Sequence, residues 1–139
     1  MASPQMIFIN LPVANLKSSM AFYEGIGFKN NPQFTDDTAA CMVLSETIFV
    51  MILTHDKWKQ FTKKEIPNAK NVAQVMLAIS RNGKGDVDAI INNAAKAGGK
   101  ADPNPVQDLG FMYGRSFEDL DGHIWESFWM DMSALPPQA

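Results

Sequence analysis

Residues 6–13, Met-Ile-Phe-Ile-Asn-Leu-Pro-Val, form a short apolar run broken by the polar Asn10, which predicts a first strand. Leu16, Met20 and Tyr23 then repeat at helical spacing. Asn15 stands where an N-cap belongs, and Gly25 and Gly27 stand where a helix would stop. Residues 30–32 and 36–37 read as turns. Residues 38–44 and 47–54 are rich in Val, Ile, Met and Phe and read as a hairpin around Ser45-Glu46. A short helix is predicted over 56–62, and residues 67–71 form a linker.

The pattern then starts again. Residues 72–80 predict a strand and Asn82–Gly85 a loop. Asp86 or Asp88 should cap a helix that runs to about Ala97, with Val87, Ile90, Ile91, Ala94 and Ala97 on its apolar side. The Pro-containing stretch 102–105 is a loop. Strands at about 110–118 and 123–130 flank the turn Asp119-Leu120-Asp121-Gly122. The second half thus repeats the plan of the first, at a spacing too long for a solenoid and only twice. The expected fold class is α+β: one domain over 1–139, built from two βαβββ modules, 6–62 and 72–131. Each helix covers one sheet face, so the other two faces are free to curve into mixed sheets around a cleft.

Composition narrows the function. A chain of 139 residues with net charge −3 and 46% hydrophobic residues is long enough for a real core. It lacks the basic field of a nucleic-acid binder. Five of its ten lysines fall between Lys57 and Lys70, which reads as a solvated connector. No apolar run approaches the ~20 residues of a membrane span, so neither membrane nor nucleic acid is an expected partner. The single Cys41 sits in an apolar strand-like stretch and reads as a buried thiol. A reducing, cytoplasmic location is expected.

The opening Phe8-Ile9-Asn10-Leu11-Pro12-Val13-Ala14-Asn15-Leu16, with Ala21-Phe22-Tyr23 and Gly25-Ile26-Gly27-Phe28 after it, resembles the start of the vicinal oxygen chelate superfamily. That superfamily includes glyoxalase I, bleomycin-resistance proteins and extradiol dioxygenases. Gln74–Ile79 is similar to the start of its second module, and Tyr113–Glu126 to its closing hairpin. The resemblance implies the glyoxalase/bleomycin-resistance/dioxygenase fold over roughly 6–131.

Metal-binding relatives place one ligand on each of four strands. Here the matching positions are Phe8, Met51, Gln74 and Glu126. Phe and Met supply no hard donors, and Gln74 with Glu126 leaves two, so zinc, nickel or iron is disfavoured and no cofactor is expected. His123 and Glu126 are three apart, which on a strand places them on opposite faces.

Alternation puts Phe8 and Asn10 on the face away from the first helix, and Gln74 and Met76 away from the second. Together with Met51, Met112, Tyr113, Arg115, Trp125 and Glu126 they are the candidate ligand-binding set. Glu126 is the candidate base or anchor, and Arg115 a candidate holder of a ligand carboxylate. The bland readings are an internal ion pair for Arg115, pairing of Glu126 with Arg115 or Tyr113, and core or interface roles for Trp125 and the methionines. Three functions remain. The first is metal-independent binding of a small, partly apolar or anionic molecule. The second is a lactoylglutathione-lyase-like lyase or isomerase using Glu126. The third is a non-catalytic protein whose own side chains fill the cleft. A homodimer is the expected assembly.

Overall fold

The computed structural model describes residues 3–134. They form two compact units that meet in sequence at Val72–Ala73. The first unit contains β1 (Ile7–Val13), α1 (Leu16–Gly25), β2 (Lys29–Asn31), β3 (Ala39–Val43), β4 (Ile48–Thr54) and the short α2 (His55–Trp58). The second contains β5 (Met76–Ser80), α3 (Lys84–Lys96), β6 (Lys100–Ala101), β7 (Gln107–Asp108), β8 (Met112–Glu118) and β9 (Ile124–Met130).

The two sheets share one topology. The first runs β1-β4-β3-β2, and the second runs β5-β9-β8-β6 with β7 also on β8. In each unit the opening strand pairs in parallel with the closing strand, and every other pairing is antiparallel. The repeat read from the sequence is therefore a repeat of strand order.

The helices form where their ends are satisfied. Asn15 caps α1 by accepting a hydrogen bond from the Ser18 N–H at 3.0 Å. Both helices stop on a glycine in the left-handed region, Gly27 at φ 109° and Gly98 at φ 101°. In each case the next residue's N–H closes the helix: Phe28 donates to the Tyr23 carbonyl and Gly99 to that of Ala94, both at 2.9 Å.

The first core lies between α1 and its sheet. Val13, Phe22, Tyr23, Ala40, Met42, Val50 and Ile52 are buried there. Tyr23 meets the edges of Phe22 and Phe28 with ring centroids 5.2 Å away. The second core joins Val87, Ile90, Ile91 and Ala94 of α3 to Phe117 and Trp125, whose rings stack with centroids 6.2 Å apart. Each such large apolar side chain contributes on the order of 1.5–3 kcal/mol when fully buried. Cys41 is buried, as anticipated.

Three local expectations are corrected. The strand anticipated at 72–80 begins only at Met76, because its partner β9 begins opposite it at Ile124 and gives residues 72–75 nothing to pair with. The α3 N-cap is Gly83 rather than Asp86 or Asp88, and the helix starts at Lys84. The turn anticipated at 30–32 holds the three-residue β2, whose Asn31 caps a 3-10 turn over Pro32–Phe34. No helix among the described residues is long and apolar enough to cross a membrane.

Candidate functional site

The sheet of the second unit has two unlike faces, set by strand alternation. Tyr113, Arg115, Phe117, Trp125, Ser127 and Trp129 belong to the rows on the α3 side. Met112, Gly114, Ser116, Glu126, Phe128 and Met130 belong to the other. Register ties the second set together: Ser116 is opposite Glu126, Gly114 opposite Phe128 and Met112 opposite Met130. Ala78 of β5 is opposite Glu126 on its other side.

That second face carries a cavity of about 250 Å³. Ala78, Met112, Gly114, Ser116, Glu126, Phe128 and Met130 line it from the sheet, with Gln107 of β7 and with Asn104 and Pro105 from the loop before β7. The loop is pinned at its root by the Asn104 N–H, which donates to the buried Ser116 hydroxyl at 3.0 Å. Gly114 helps to keep the space open. A Cβ there would meet Phe128 Cβ at 3.6 Å, an ordinary contact, so a side chain would fit without a clash and would take up volume.

Glu126 and Met112, both anticipated, border this cavity. Glu126 is half-buried and has no hydrogen-bond or ion-pair partner among the described residues. It pairs with neither Arg115 nor Tyr113.

Those two groups converge instead on α3. The Arg115 guanidinium grips Asp102 with Nε and Nη2, at 3.0 and 2.7 Å, and donates from Nη1 to Asp88 at 2.9 Å. The Tyr113 hydroxyl donates to the same Asp88 oxygen at 2.6 Å. These bonds move the pKa values in consistent directions. Asp88 is held below the usual carboxylate range by the donors Tyr113 and Arg115. The Tyr113 hydroxyl is raised, first by its bond to Asp88 and then by burial. Arg115 is raised by its Asp102 partner above all. Arg115 also borders the cavity, but its charge is engaged on the helix side, so the bland ion-pair reading of this residue is the one observed. Nothing in the sequence named Asp88 and Asp102 as its partners.

Trp125 does not line the site. It is fully buried in the second core, one residue out of phase with the face that Glu126 occupies. Gln74 lies in an exposed bend before β5, and Met76 is 55% exposed at the strand's first position. Neither borders the cavity, although the Asn104 amide nitrogen donates to the Met76 sulfur at 3.4 Å. His123 precedes β9 and donates its backbone N–H to Asp119 at 2.9 Å.

Phe8, Asn10 and Met51 belong to the first unit. They share the sheet face turned from α1, in register with Phe49 opposite Phe8 and Met51 opposite Asn10. The Phe8 and Phe49 rings stack with centroids 4.6 Å apart. Asn10 also borders a separate cavity of about 230 Å³ with Leu53, Trp58, Phe61 and Thr62, which sequence reading did not anticipate. The signal for it was present in the aromatic pair Trp58 and Phe61 within the lysine-rich stretch.

The four positions that the resemblance matches to metal ligands do not make a donor set. Phe8 and Met51 offer an aromatic ring and a thioether, Gln74 is an exposed amide, and only Glu126 is a hard anionic donor. Among the described residues no three His, Cys, Asp or Glu side chains come together as a metal site.

Comparison with solved structures agrees with the topology. The chain superposes on the hypothetical protein SA1046 from S. aureus with a TM-score of 0.74 at 27% identity, covering 92% of this chain and 95% of that one. A glyoxalase/bleomycin resistance protein/dioxygenase family enzyme from Burkholderia phytofirmans PsJN gives 0.73 at 14% identity, covering 91% and 99%. The fosfomycin resistance protein FosX from Mesorhizobium loti gives 0.65 at 15% identity, covering 96% and 97%. No family model and no curated protein matches the sequence. The fold is that of the glyoxalase/bleomycin-resistance/dioxygenase proteins, the vicinal oxygen chelate fold.

Proposed function

We propose that this chain is a small-molecule-binding protein that takes a small, partly apolar ligand beside Glu126 and works without a metal. The observation that carries the reading is the cavity of the second unit: Met112, Phe128, Met130 and Pro105 around one unpartnered carboxylate. A mostly apolar concavity with a few polar anchors is the usual form of a small-molecule site. Fold neighbours described as bleomycin or fosfomycin resistance proteins are consistent with a binding role. The open space beside Glu126 weighs against the reading in which the protein's own side chains fill the site.

The test is a fragment screen read by the methyl resonances of Met112 and Met130, repeated on Gly114→Val. This substitution narrows the cavity and requires no strained backbone. Fragments should perturb both methyls in the parent and neither in the variant, with the fold retained. Equal perturbation in both proteins would count against the site.

A second reading is a glyoxalase-like lyase or isomerase with Glu126 as general base. The free Glu126 carboxylate favours it, since an unpartnered oxygen can accept a proton from a bound carbon acid. Turnover of the methylglyoxal–glutathione hemithioacetal that is lost in Glu126→Gln would support it. Turnover that survives the substitution would remove Glu126 from the chemistry.

A further inference from the structure

We propose that the Glu126 cavity selects a small organic cation, an ammonium group carried on an apolar or aromatic body, over neutral or anionic molecules of the same shape. The inference deepens the small-molecule reading above and rests on it.

Only two residues of the cavity lining are charged, Arg115 and Glu126. The Arg115 fork is closed on Asp102 through two bonds, and its remaining Nη1 is held by Asp88. One positive charge thus faces two carboxylates, so no net positive charge is left for a ligand anion. Lys84, the nearby cation on the α3 side, lies over the Tyr113 and Trp129 rings at 5.9 and 5.7 Å and 4.0 Å from an Asp108 oxygen. Glu126, by contrast, has no partner among the described residues. The uncompensated charge at the cavity is negative.

The rest of the lining suits a cation as well. Phe128 adds an aromatic side chain to the lining, and Met112 and Met130 add polarizable thioethers. An ammonium group placed here forms a charge-assisted hydrogen bond with Glu126 in a half-shielded setting, stronger than a neutral donor could make. The backbone N–H of Asn104 is already given to Ser116, and the side-chain amides of the lining are neutral, so the charge preference of the cavity rests on Glu126. An anion would meet Glu126 with no free positive partner.

The experiment titrates the whole protein with three probes that share a phenylethyl body: 2-phenylethylammonium, 2-phenylethanol and 3-phenylpropionate. The readout is the methyl resonances of Met112 and Met130, assigned by single Met→Leu substitutions. The ammonium should bind at least about tenfold more tightly than the alcohol, and the carboxylate most weakly. Glu126→Gln should bring ammonium and alcohol to within about twofold of each other, and added salt should weaken only the ammonium.

Alcohol or carboxylate binding as well as the ammonium overturns cation selection and leaves the small-molecule site standing. A preference that persists in Glu126→Gln overturns the assignment to this carboxylate. If no probe of any charge moves the two methyls, the small-molecule reading falls and this inference with it. Zinc ions alone bound at one equivalent and excluding the ammonium would overturn it in favour of a metal site. Should Glu126→Gln not fold, the order of the three probes and its salt dependence in the parent protein decide.

Discussion

Arg115 holds Asp102 with two parallel hydrogen bonds, and Asp102 is the one non-glycine among the described residues with a positive φ, 56°. An aspartate tolerates the left-handed region better than most residues, yet the conformation still has to be held. The guanidinium fork does this from the neighbouring strand, and the same side chain anchors α3 through Asp88.

Arg115→Lys should therefore lower stability by about 1–3 kcal/mol, because an ammonium group cannot replace the planar fork. Asp102→Gly in the Arg115→Lys background should cost less than in the parent, since the interaction it removes is already gone. A double-mutant cycle by denaturant titration measures this coupling. Additive losses would show that the pair is not a stabilising unit.

The Tyr113–Asp88–Arg115 cluster also sets a pH dependence. The Asp88 pKa is depressed from its ordinary 3.8, so its contribution is present above that value and is lost as pH falls through the lower folded value. The Tyr113 pKa is raised from 10.0, so its contribution is present below 10.0 and is lost as pH rises through the higher folded value. Asp88→Asn should flatten the acid limb of a stability–pH curve and leave the neutral region nearly level. An acid limb unchanged in the variant would exclude Asp88 as its source.

Gly27 and Gly98 close equivalent helices, but their surroundings differ. A Cβ at Gly27 meets nothing within 4 Å, while one at Gly98 comes within 3.2 Å of Leu120 Cδ2. Both Ala substitutions should cost about 1–2 kcal/mol for the left-handed backbone. Gly98→Ala should cost more than Gly27→Ala by whatever Leu120 cannot yield. Thermal unfolding of the two variants compares them directly, and equal losses would show that Leu120 moves aside freely.

Purified without a polyhistidine tag, the protein should carry less than one equivalent of zinc, nickel or iron by elemental analysis. The basis is the donor chemistry at Phe8, Met51 and Gln74. One equivalent of metal, lost in Glu126→Ala, would contradict this.

In solution a homodimer is expected, at twice the 15.4 kDa chain mass. The outer strands β1 and β5 expose Ile7, Phe8 and Met76, apolar side chains at unpaired edges that association would bury. Light scattering at micromolar concentration checks it, and a monomeric mass would stand against it.

Much of the fold was legible because its signals are local. Asn15 and the Gly27 and Gly98 stops fix helix ends from a few residues, and alternation along β1 and β9 fixes faces. The site was legible only in part. Glu126 was singled out by the resemblance, as the match to a metal-ligand position, and it lines the cavity together with Met112. Arg115 and Trp125 are each one residue out of phase with the face that holds Glu126: Arg115 still borders the cavity, with its charge engaged on the helix side, and Trp125 does not border it. Gln74 failed for another reason: whether a residue joins a strand depends on where its partner begins, and β9 starts only at Ile124. The partners of Arg115 lie 27 and 13 positions away along the chain, beyond any local pattern.

The strand order bears on how the chain emerges during synthesis. In each sheet the opening strand waits for the closing one: β1 has no neighbour until β4 is made, and β5 none until β9. β9 is an interior strand, flanked on both sides, and it is the last strand of the described chain. The first unit can therefore complete its sheet while the second is still a helix and unpaired segments, with β5 exposed to unwanted pairing. Any stall or truncation before Ile124 would remove the middle of the second sheet rather than its margin. The nascent protein is thus asymmetric in vulnerability although its two halves share one plan.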